Sequence, residues 1–140
     1  MRIVLDADVL IGALDGLDPH HTQARRLFRG WQKQETARLI SVVNLTEVLV
    51  APAADRRRLR AAREAIAALG VQVHQPGEAI GVEAARLRCG HPISLPDAYC
   101  LATARYADAR VASFDEKVLR AAEGGGLATI ETGARRPRRR

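Results

Sequence analysis

Cysteine, aromatic residues and long apolar runs are all scarce in this sequence. Its two cysteines, Cys89 and Cys100, do not form a CxxC pair and are too few for a disulfide framework, so both are expected to be reduced and structural. Aromatic residues make up 4% of the chain and are scattered, which argues against a surface for stacking nucleic-acid bases. No apolar run is long enough to span a membrane, and Arg2 and Asp6 interrupt any signal-like start, so a cytoplasmic location is expected.

Positive charge is concentrated at one end of the chain. The 140 residues carry a formal net charge of +6, but the last six residues alone contain five arginines, at positions 135, 136, 138, 139 and 140. The remaining residues are therefore nearly neutral. We interpret residues 1–133 as one domain, long enough to bury a single core, and residues 134–140 as a basic tail kept extended by Pro137 and by charge repulsion.

Short apolar runs alternate with helical patterns along the chain. Strands are predicted at residues 2–5, 39–40, 71–73, 109–112 and 127–130. Helices are predicted at residues 8–14, 19–31, 41–50, 55–69, 76–89, 94–106 and 117–123. Strands that alternate with helices form a parallel sheet covered on both faces, so the predicted fold class is α/β. Ligands of such sheets bind beyond the carboxyl ends of the strands.

Three carboxylates have aliphatic neighbours in the sequence. Asp6 lies between two apolar runs, residues 3–5 and 9–11, while Glu47 and Asp97 share predicted helix faces with apolar residues. Neither helical acid has an Arg or Lys three or four positions away. A carboxylate without hydration costs several kcal/mol unless a cation or hydrogen-bond donors replace the water. Oxygen ligands of this kind suit Mg²⁺.

Each acid also fits a purely structural role. Ser94 to Asp97 has the pattern of a helix capping box, and Asn44 to Glu47 can be interpreted in the same way. Asp115 is a natural N-cap for the helix at 117–123, and Asp8 is expected to cap the first helix. Taken singly, each acid is as consistent with a cap as with a metal ligand. Only their joint occurrence favours a metal site.

The order of these motifs resembles the PIN-domain family, and within it the VapC-type toxins of bacterial toxin–antitoxin pairs. Residues 3–8, Ile-Val-Leu-Asp-Ala-Asp, are similar to the family's opening strand and first acid, and residues 41–47, Ser-Val-Val-Asn-Leu-Thr-Glu, to its second motif. Residues 94–98 resemble the third acid at its helix start, and residues 113–115 resemble the Thr/Ser-x-Asp of the fourth motif. The resemblance covers nearly the whole chain.

The resemblance implies a three-layer α/β/α fold around a central parallel sheet, with one or two Mg²⁺ or Mn²⁺ ions. It implies cleavage of single-stranded regions in structured RNA, a homodimer, and a VapB-like antitoxin as inhibitory partner. Asp6 and Asp97 would be the most direct metal ligands, and Glu47 and Asp115 would complete the acidic pocket directly or through water. Ser113 would hold an acid or a water by a hydrogen bond.

The sequence departs from the family pattern after the fourth motif. The family commonly has another acid and a Phe where Lys117 and Val118 stand, so a fifth carboxylate is not expected at that point. The arginine-rich tail is also not part of the pattern, and it is interpreted as an accessory RNA contact or a solubilising end.

Two other functions compete with this interpretation. Asp6 and Asp8 also resemble the nucleophile and acid pair of haloacid-dehalogenase-like phosphatases, but that family needs a lysine before a last pair of acids. Here only the isolated Glu123 and Glu131 follow Lys117. The second alternative is a non-catalytic RNA-binding module with a PIN-like fold, and the presence of all four acids argues against it.

Overall fold

The structure, a computed structural model, describes residues 1–133. Four parallel strands form one sheet in the order β3-β2-β1-β4. These strands are β1 (Arg2–Leu5), β2 (Ala37–Ser41), β3 (Val71–His74) and β4 (Arg110–Ala112). The first strand therefore lies inside the sheet, paired with β2 on one side and β4 on the other. The carboxyl ends of β1 and β4 consequently lie next to each other.

Helices fill every crossover between the strands, and one more helix follows β4. They are α1 (Ala7–Leu14), α2 (His21–Lys33), α3 (Val42–Leu49), α4 (Arg56–Ala68), α5 (Glu78–Gly90), α6 (Leu95–Ala107) and α7 (Glu116–Gly124), with one 3₁₀ turn at Pro52–Ala54. The predicted α/β class with a central parallel sheet is confirmed. Residues 1–133 include no helix that combines the length and apolar character needed to cross a membrane.

The core is divided by the sheet into two apolar clusters. Val4 packs with residues of α5 and α6, whereas Ile3 and Leu5 pack with residues of α1 and α2. This division follows from the geometry of a strand, in which successive side chains point to opposite faces. Because both faces of β1 are covered, its side chains from Ile3 to Leu5 are almost completely buried. Helices on both faces of the sheet give the expected three-layer α/β/α arrangement.

The predicted fifth strand at 127–130 is wrong. This segment forms a single parallel bridge to β4, between Val111 and Thr129, with Val111 N donating to Ala128 O at 2.9 Å and Ile130 N donating to Val111 O at 3.0 Å. The segment touches β4 only at Val111, so it forms one bridge and not a strand. The predicted basic tail, residues 134–140, lies outside the described residues.

Candidate active site

Asp6 is the first residue after β1 and the N-cap of α1. Its Oδ1 accepts a hydrogen bond from Ala7 N at 2.8 Å, and its Oδ2 accepts one from Ser113 Oγ at 2.7 Å. The side chain is buried, since only 5% of the residue is exposed. Asp6 N also donates to Ala112 O at 2.9 Å, which fixes the end of β1 against the end of β4. The predicted first acid therefore lies at the carboxyl edge of the sheet.

Asp8 is not the N-cap of α1, contrary to the sequence-based expectation. The chain is extended at Asp6 and helical from Ala7, so Asp8 lies in the first turn of the helix. Its Oδ2 accepts a hydrogen bond from Phe114 N at 3.0 Å, in the loop after β4. Its Oδ1 is buried and has no hydrogen-bond partner within residues 1–133. Asp8 is thus a fifth carboxylate of this site and not the helix cap that the sequence suggested.

Ser113 connects two of the predicted acids. Its hydroxyl donates to Asp6 and accepts a hydrogen bond from Asp115 N at 3.0 Å, and the residue is fully buried. Asp115 in turn caps α7, because its Oδ1 accepts a hydrogen bond from Lys117 N at 2.9 Å. Its side chain is exposed. The structural reading of Asp115 as a cap is therefore correct, and the residue still lies beside the buried acids.

Asn44 joins the second and third motifs, although the sequence suggested a helix cap at this position. It lies inside α3, whose N-cap is Ser41, so Asn44 to Glu47 is not a capping box. Its Nδ2 donates to Glu47 Oε1 at 3.2 Å, within α3, and to Pro96 O at 3.0 Å, immediately before Asp97 in α6. The residue is fully buried, and its Oδ1 has no partner among residues 1–133. Glu47 itself is exposed, although its sequence neighbours are aliphatic. Asn44 thus holds the helix of Glu47 against the start of the helix of Asp97.

Asp97 forms the predicted capping box. Ser94 N donates to Asp97 Oδ2, and Asp97 N donates to Ser94 Oγ, both at 3.2 Å. Ser94 therefore begins α6 and orients the carboxylate at its first turn. The charge of Asp97 raises the pKa of Asp6, Asp8 and Glu47, so Asp97 interacts with acids of the first and second motifs.

The charges of four of these carboxylates act on one buried thiol. Burial raises the pKa of Cys100 well above its usual value, and the charges of Asp6, Asp8, Asp97 and Glu47 raise it further. Cys100 is a free cysteine with no exposed surface. This agrees with the expected reduced, structural thiol.

The two most buried acids, Asp6 and Asp8, have the largest pKa shifts. The pKa of Asp6 is raised from 3.8 to about 8, and burial is the main cause. The charges of Asp8 and Asp97 add to the rise, whereas the hydrogen bond from Ser113 opposes it. Burial also raises the pKa of Asp8 from 3.8 to about 7, and the charge of Asp115 adds to the rise. Partial burial of its carboxyl group also raises the pKa of Glu47, although the residue as a whole is exposed.

None of the five acids forms a salt bridge with a Lys, Arg or His of residues 1–133. In the same part of the chain, no three His, Cys, Asp or Glu side chains converge as they stand into a group that could hold a metal ion. The donor chemistry nevertheless suits a divalent cation. Uncompensated carboxylates, and the buried unpartnered oxygens of Asp8 and Asn44, are the hard oxygen ligands that Mg²⁺ and Mn²⁺ prefer.

Three solved structures with a similar fold come from toxin–antitoxin systems. A toxin–antitoxin complex from Klebsiella pneumoniae matches with a TM-score of 0.70 and 21% identity, over 84% of this chain and 89% of that chain. VapC20 of Mycobacterium tuberculosis, a sarcin–ricin loop cleaving toxin, has a TM-score of 0.71 and 19% identity, over 91% and 98%. VapBC2 of Rickettsia felis, bound to a promoter DNA fragment, has a TM-score of 0.74 and 13% identity, over 93% and 98%. At these identities the shared feature is the fold.

No curated protein sequence matches this chain at a significant level. The family model of the PIN domain, however, matches residues 3–124, which include the acids that follow β1 and β4 and those that begin or lie in α3 and α6. The match confirms the resemblance inferred from the order of the four motifs. The chain belongs to the PIN-domain family.

Proposed function

We propose that this protein is a metal-dependent endoribonuclease and the toxin of a type II toxin–antitoxin module. The observation that carries the proposal is a chain of interacting carboxylates without a neutralising Lys, Arg or His in residues 1–133. Asp8 and Asp97 act on Asp6, Asp115 acts on Asp8, and Asp97 acts on Glu47. Like charges at a buried site cost stability, so a fold that keeps them needs a counterion to offset that cost. Family membership and the toxins that share the fold support a nuclease function.

Asp6 and Asp97 are the acids that we propose as the most direct metal ligands, with Asp8, Glu47 and Asp115 completing the pocket directly or through water. Bound Mg²⁺ or Mn²⁺ would supply an activated water for in-line attack on phosphorus and would stabilise charge on the scissile phosphate, leaving a 3′-hydroxyl and a 5′-phosphate.

The protein's own contribution is to orient these acids. The hydroxyl of Ser113 holds Asp6 Oδ2 at 2.7 Å, and the Asn44 amide holds Glu47 Oε1 at 3.2 Å. Partners of this kind fix the orientation of metal-binding side chains. The exposed Glu47 and Asp115 lie at the open side of the pocket, which is where an RNA backbone can approach.

The substrate class that we propose is structured RNA with an accessible single-stranded region. VapC20, which shares the fold, is a sarcin–ricin loop cleaving toxin, and this supports an RNA loop as the target. A cytoplasmic location and a homodimer complete the proposal.

The antitoxin partner is supported by the complexes that share this fold. A groove of about 690 Å³ lies between α1, α3 and α4, and its lining is mostly apolar, with Ile11, Leu14, Val48 and Ala65 among the lining residues. Glu47 also lines this groove, so the groove leads to the acidic site. An antitoxin segment that orders along the groove could offer an Arg to the carboxylates, since Arg forms paired hydrogen bonds with them.

The phosphatase alternative loses its basis, because the matching family is the PIN domain and Asp8 is held by the backbone of Phe114. A non-catalytic RNA-binding module is the remaining competitor, and the test of the proposal separates it from a nuclease.

The test is to express wild type, Asp6→Asn and Asp97→Asn in a bacterial host, follow growth, and sequence the RNA ends that arise soon after induction. Asp55→Asn serves as the matched control, because Asp55 is an exposed N-cap on α4 and an Asn can cap in its place. We expect growth arrest and new 5′-phosphate ends with wild type and the control only. Arrest by Asp6→Asn as well would remove the nuclease explanation of toxicity. Absence of arrest by wild type, in a host without the neighbouring gene, would remove the toxin function and leave a housekeeping nuclease to be assayed.

A further inference from the structure

A pair of stacked rings lies beside the acid cluster. The rings of His20 and Phe114 are nearly parallel, at an interplanar angle of 9°, with their centroids 4.4 Å apart. Phe114 stands between Ser113 and Asp115, and its backbone N donates to Asp8 at 3.0 Å. The scattered aromatic residues of the sequence gave no indication of a stack, because its second member is a histidine from a distant part of the chain.

The two rings differ in exposure. Phe114 is buried, with 7% of the residue exposed, whereas 42% of the His20 side chain is exposed. Phe114 therefore forms the covered layer of the stack, and the imidazole of His20 forms its solvent-facing layer. An exposed planar ring supported from below is the arrangement on which unpaired nucleobases stack in RNA-binding proteins.

The position of His20 is fixed before any ligand binds. Its backbone N donates to Asp18 Oδ1 at 2.8 Å, and its carbonyl accepts a hydrogen bond from Ala24 N at 2.8 Å. The start of α2 lies close to α1 because Gly12 has no side chain, since a Cβ there would lie 3.2 Å from Ala24 Cβ and 3.6 Å from His20 Cβ. Neighbouring His21 adds a hydrogen bond of 2.8 Å between its Nδ1 and Gly12 O. Both layers of the stack are thus attached to elements that carry the acids.

We propose that the exposed face of His20 is a subsite for one unpaired nucleobase of the RNA, next to the phosphate that is cleaved. The proposal rests on the proposed ribonuclease function and adds to it a specific substrate contact. A base inside a double helix already stacks on both faces, so the subsite accepts a nucleotide only from a loop or a single strand. Stacking on a ring face tolerates different bases, so the subsite selects for unpaired structure and not for one base.

The experiment measures binding of short single-stranded RNAs in which each nucleotide in turn is replaced by an abasic residue. Binding is measured with a chelator present, so that RNA is not cleaved, and cleavage of the intact RNA is measured separately with Mn²⁺. The proteins are wild type, His20→Ala and His20→Phe. Tyr106→Ala is the control, because Tyr106 is 67% exposed and lies at the opposite end of α6 from Asp97.

We expect one abasic position to weaken binding to wild type by on the order of tenfold, as loss of one stacked base does. His20→Ala should bind the intact RNA about as weakly as wild type binds the sensitive abasic RNA. It should also bind the intact and the abasic RNA equally well. His20→Phe, which keeps a flat ring, should restore the difference, and Tyr106→Ala should behave as wild type. Melting temperatures show whether each variant is folded.

Two results would overturn the proposal in distinguishable ways. If wild type cleaves RNA but the abasic position weakens binding to His20→Ala as much as binding to wild type, the subsite is wrong and the ribonuclease function stands. If wild type neither binds nor cleaves any RNA tested, both proposals are wrong.

Discussion

The hydroxyl of Ser113 donates to Asp6 Oδ2 at 2.7 Å, although 107 positions separate the two residues in the chain. Ser113 follows β4 and Asp6 follows β1, and these strands are neighbours in the sheet. The hydrogen bond favours the ionised form of Asp6 and lowers a pKa that burial raises. One serine therefore counters part of the effect of burial on the first acid.

Ser113→Ala should shift the pH dependence of RNA cleavage to higher pH. Without the hydrogen bond the pKa of Asp6 rises further, so a higher pH is needed to ionise it. Loss of such an orienting partner typically lowers metal affinity or activity by about 10- to 100-fold. The measurement is the pH–rate profile with Mn²⁺, and Ser113→Thr, which keeps the hydroxyl, is the matched control. An unshifted profile for Ser113→Ala would show that Asp6 does not depend on this contact.

In the absence of metal, the free energy of unfolding should fall as pH rises from about 4 to about 8. Asp6 has a pKa of about 8 in the folded protein and about 4 when unfolded, so the folded state binds the extra proton in this range. Stability then decreases with pH, by up to about 1.4 kcal/mol per pH unit for one proton. Urea unfolding at pH 5 and pH 8 measures this change in the free energy of unfolding.

Asp6→Asn should flatten this slope and should be more stable than wild type at pH 8, because the variant removes the buried charge. Asp55→Asn, at an exposed cap, should keep the wild-type slope. A wild-type protein equally stable at both pH values would contradict the buried, proton-binding acid.

Mn²⁺ or Mg²⁺ should raise the melting temperature of wild type, because a ligand that binds only the folded state stabilises it by mass action. The increase should be larger at pH 8 than at pH 6, since the carboxylates must lose protons to bind a cation. Differential scanning fluorimetry with a metal titration measures it. Asp97→Asn keeps an oxygen for the capping box and should lose most of the increase, whereas Asp55→Asn should keep it.

Asn44→Ala should destabilise the protein by about 1 kcal/mol, because it removes the side-chain hydrogen bond to Pro96 O that joins α3 to α6. Cleavage should also slow, since Glu47 loses a donor that lowers its pKa. Chemical denaturation and single-turnover cleavage measure the two effects. Thr46→Ala is the control, because this exposed neighbour on α3 bonds only the Val42 carbonyl of its own helix. Equal stability of both variants would show that the link between α3 and α6 contributes little.

Deleting residues 135–140 should weaken RNA binding and reduce its salt dependence while the cleavage sites stay the same. Arginines that contact phosphates position a substrate without selecting its sequence, and each phosphate contact contributes to the salt dependence. The measurement is binding across a series of salt concentrations, together with mapping of the cut ends. A changed pattern of cut sites would show that the tail contributes to specificity.

The sequence predicted those elements that have a strong local pattern. The apolar runs of β1 to β4 identified each strand to within about two residues of its bounds, since a buried parallel strand is apolar along its length. Residues 127–130 have the same pattern but meet β4 at a single bridge. Local composition does not reveal how far two segments run side by side.

Within the candidate site, the acids of the four motifs could be identified from their order, whereas other residues depended on the tertiary structure. Asp8 was assigned as a cap because helix boundaries shift by one or two residues in sequence-based prediction, and here that shift exchanges its role with Asp6. Asn44 was interpreted as a possible helix cap, because its burial and its bond to Pro96 depend on how α3 packs against α6 and leave no local pattern. The pairing of His20 with Phe114 is likewise a contact between distant segments.

The pairing of β1 with β4 also bears on when the acid cluster can exist during translation. Residues 3–5 are synthesised more than 100 residues before their partner residues 110–112 and the following Ser113 and Asp115. A nascent chain that ends before β4 has Asp6 without the hydroxyl that holds it, and without the backbone amide that holds Asp8. The order of synthesis therefore postpones assembly of the site until nearly the whole domain has been made, and a single break in the chain between α1 and β4 yields two fragments that each lack it.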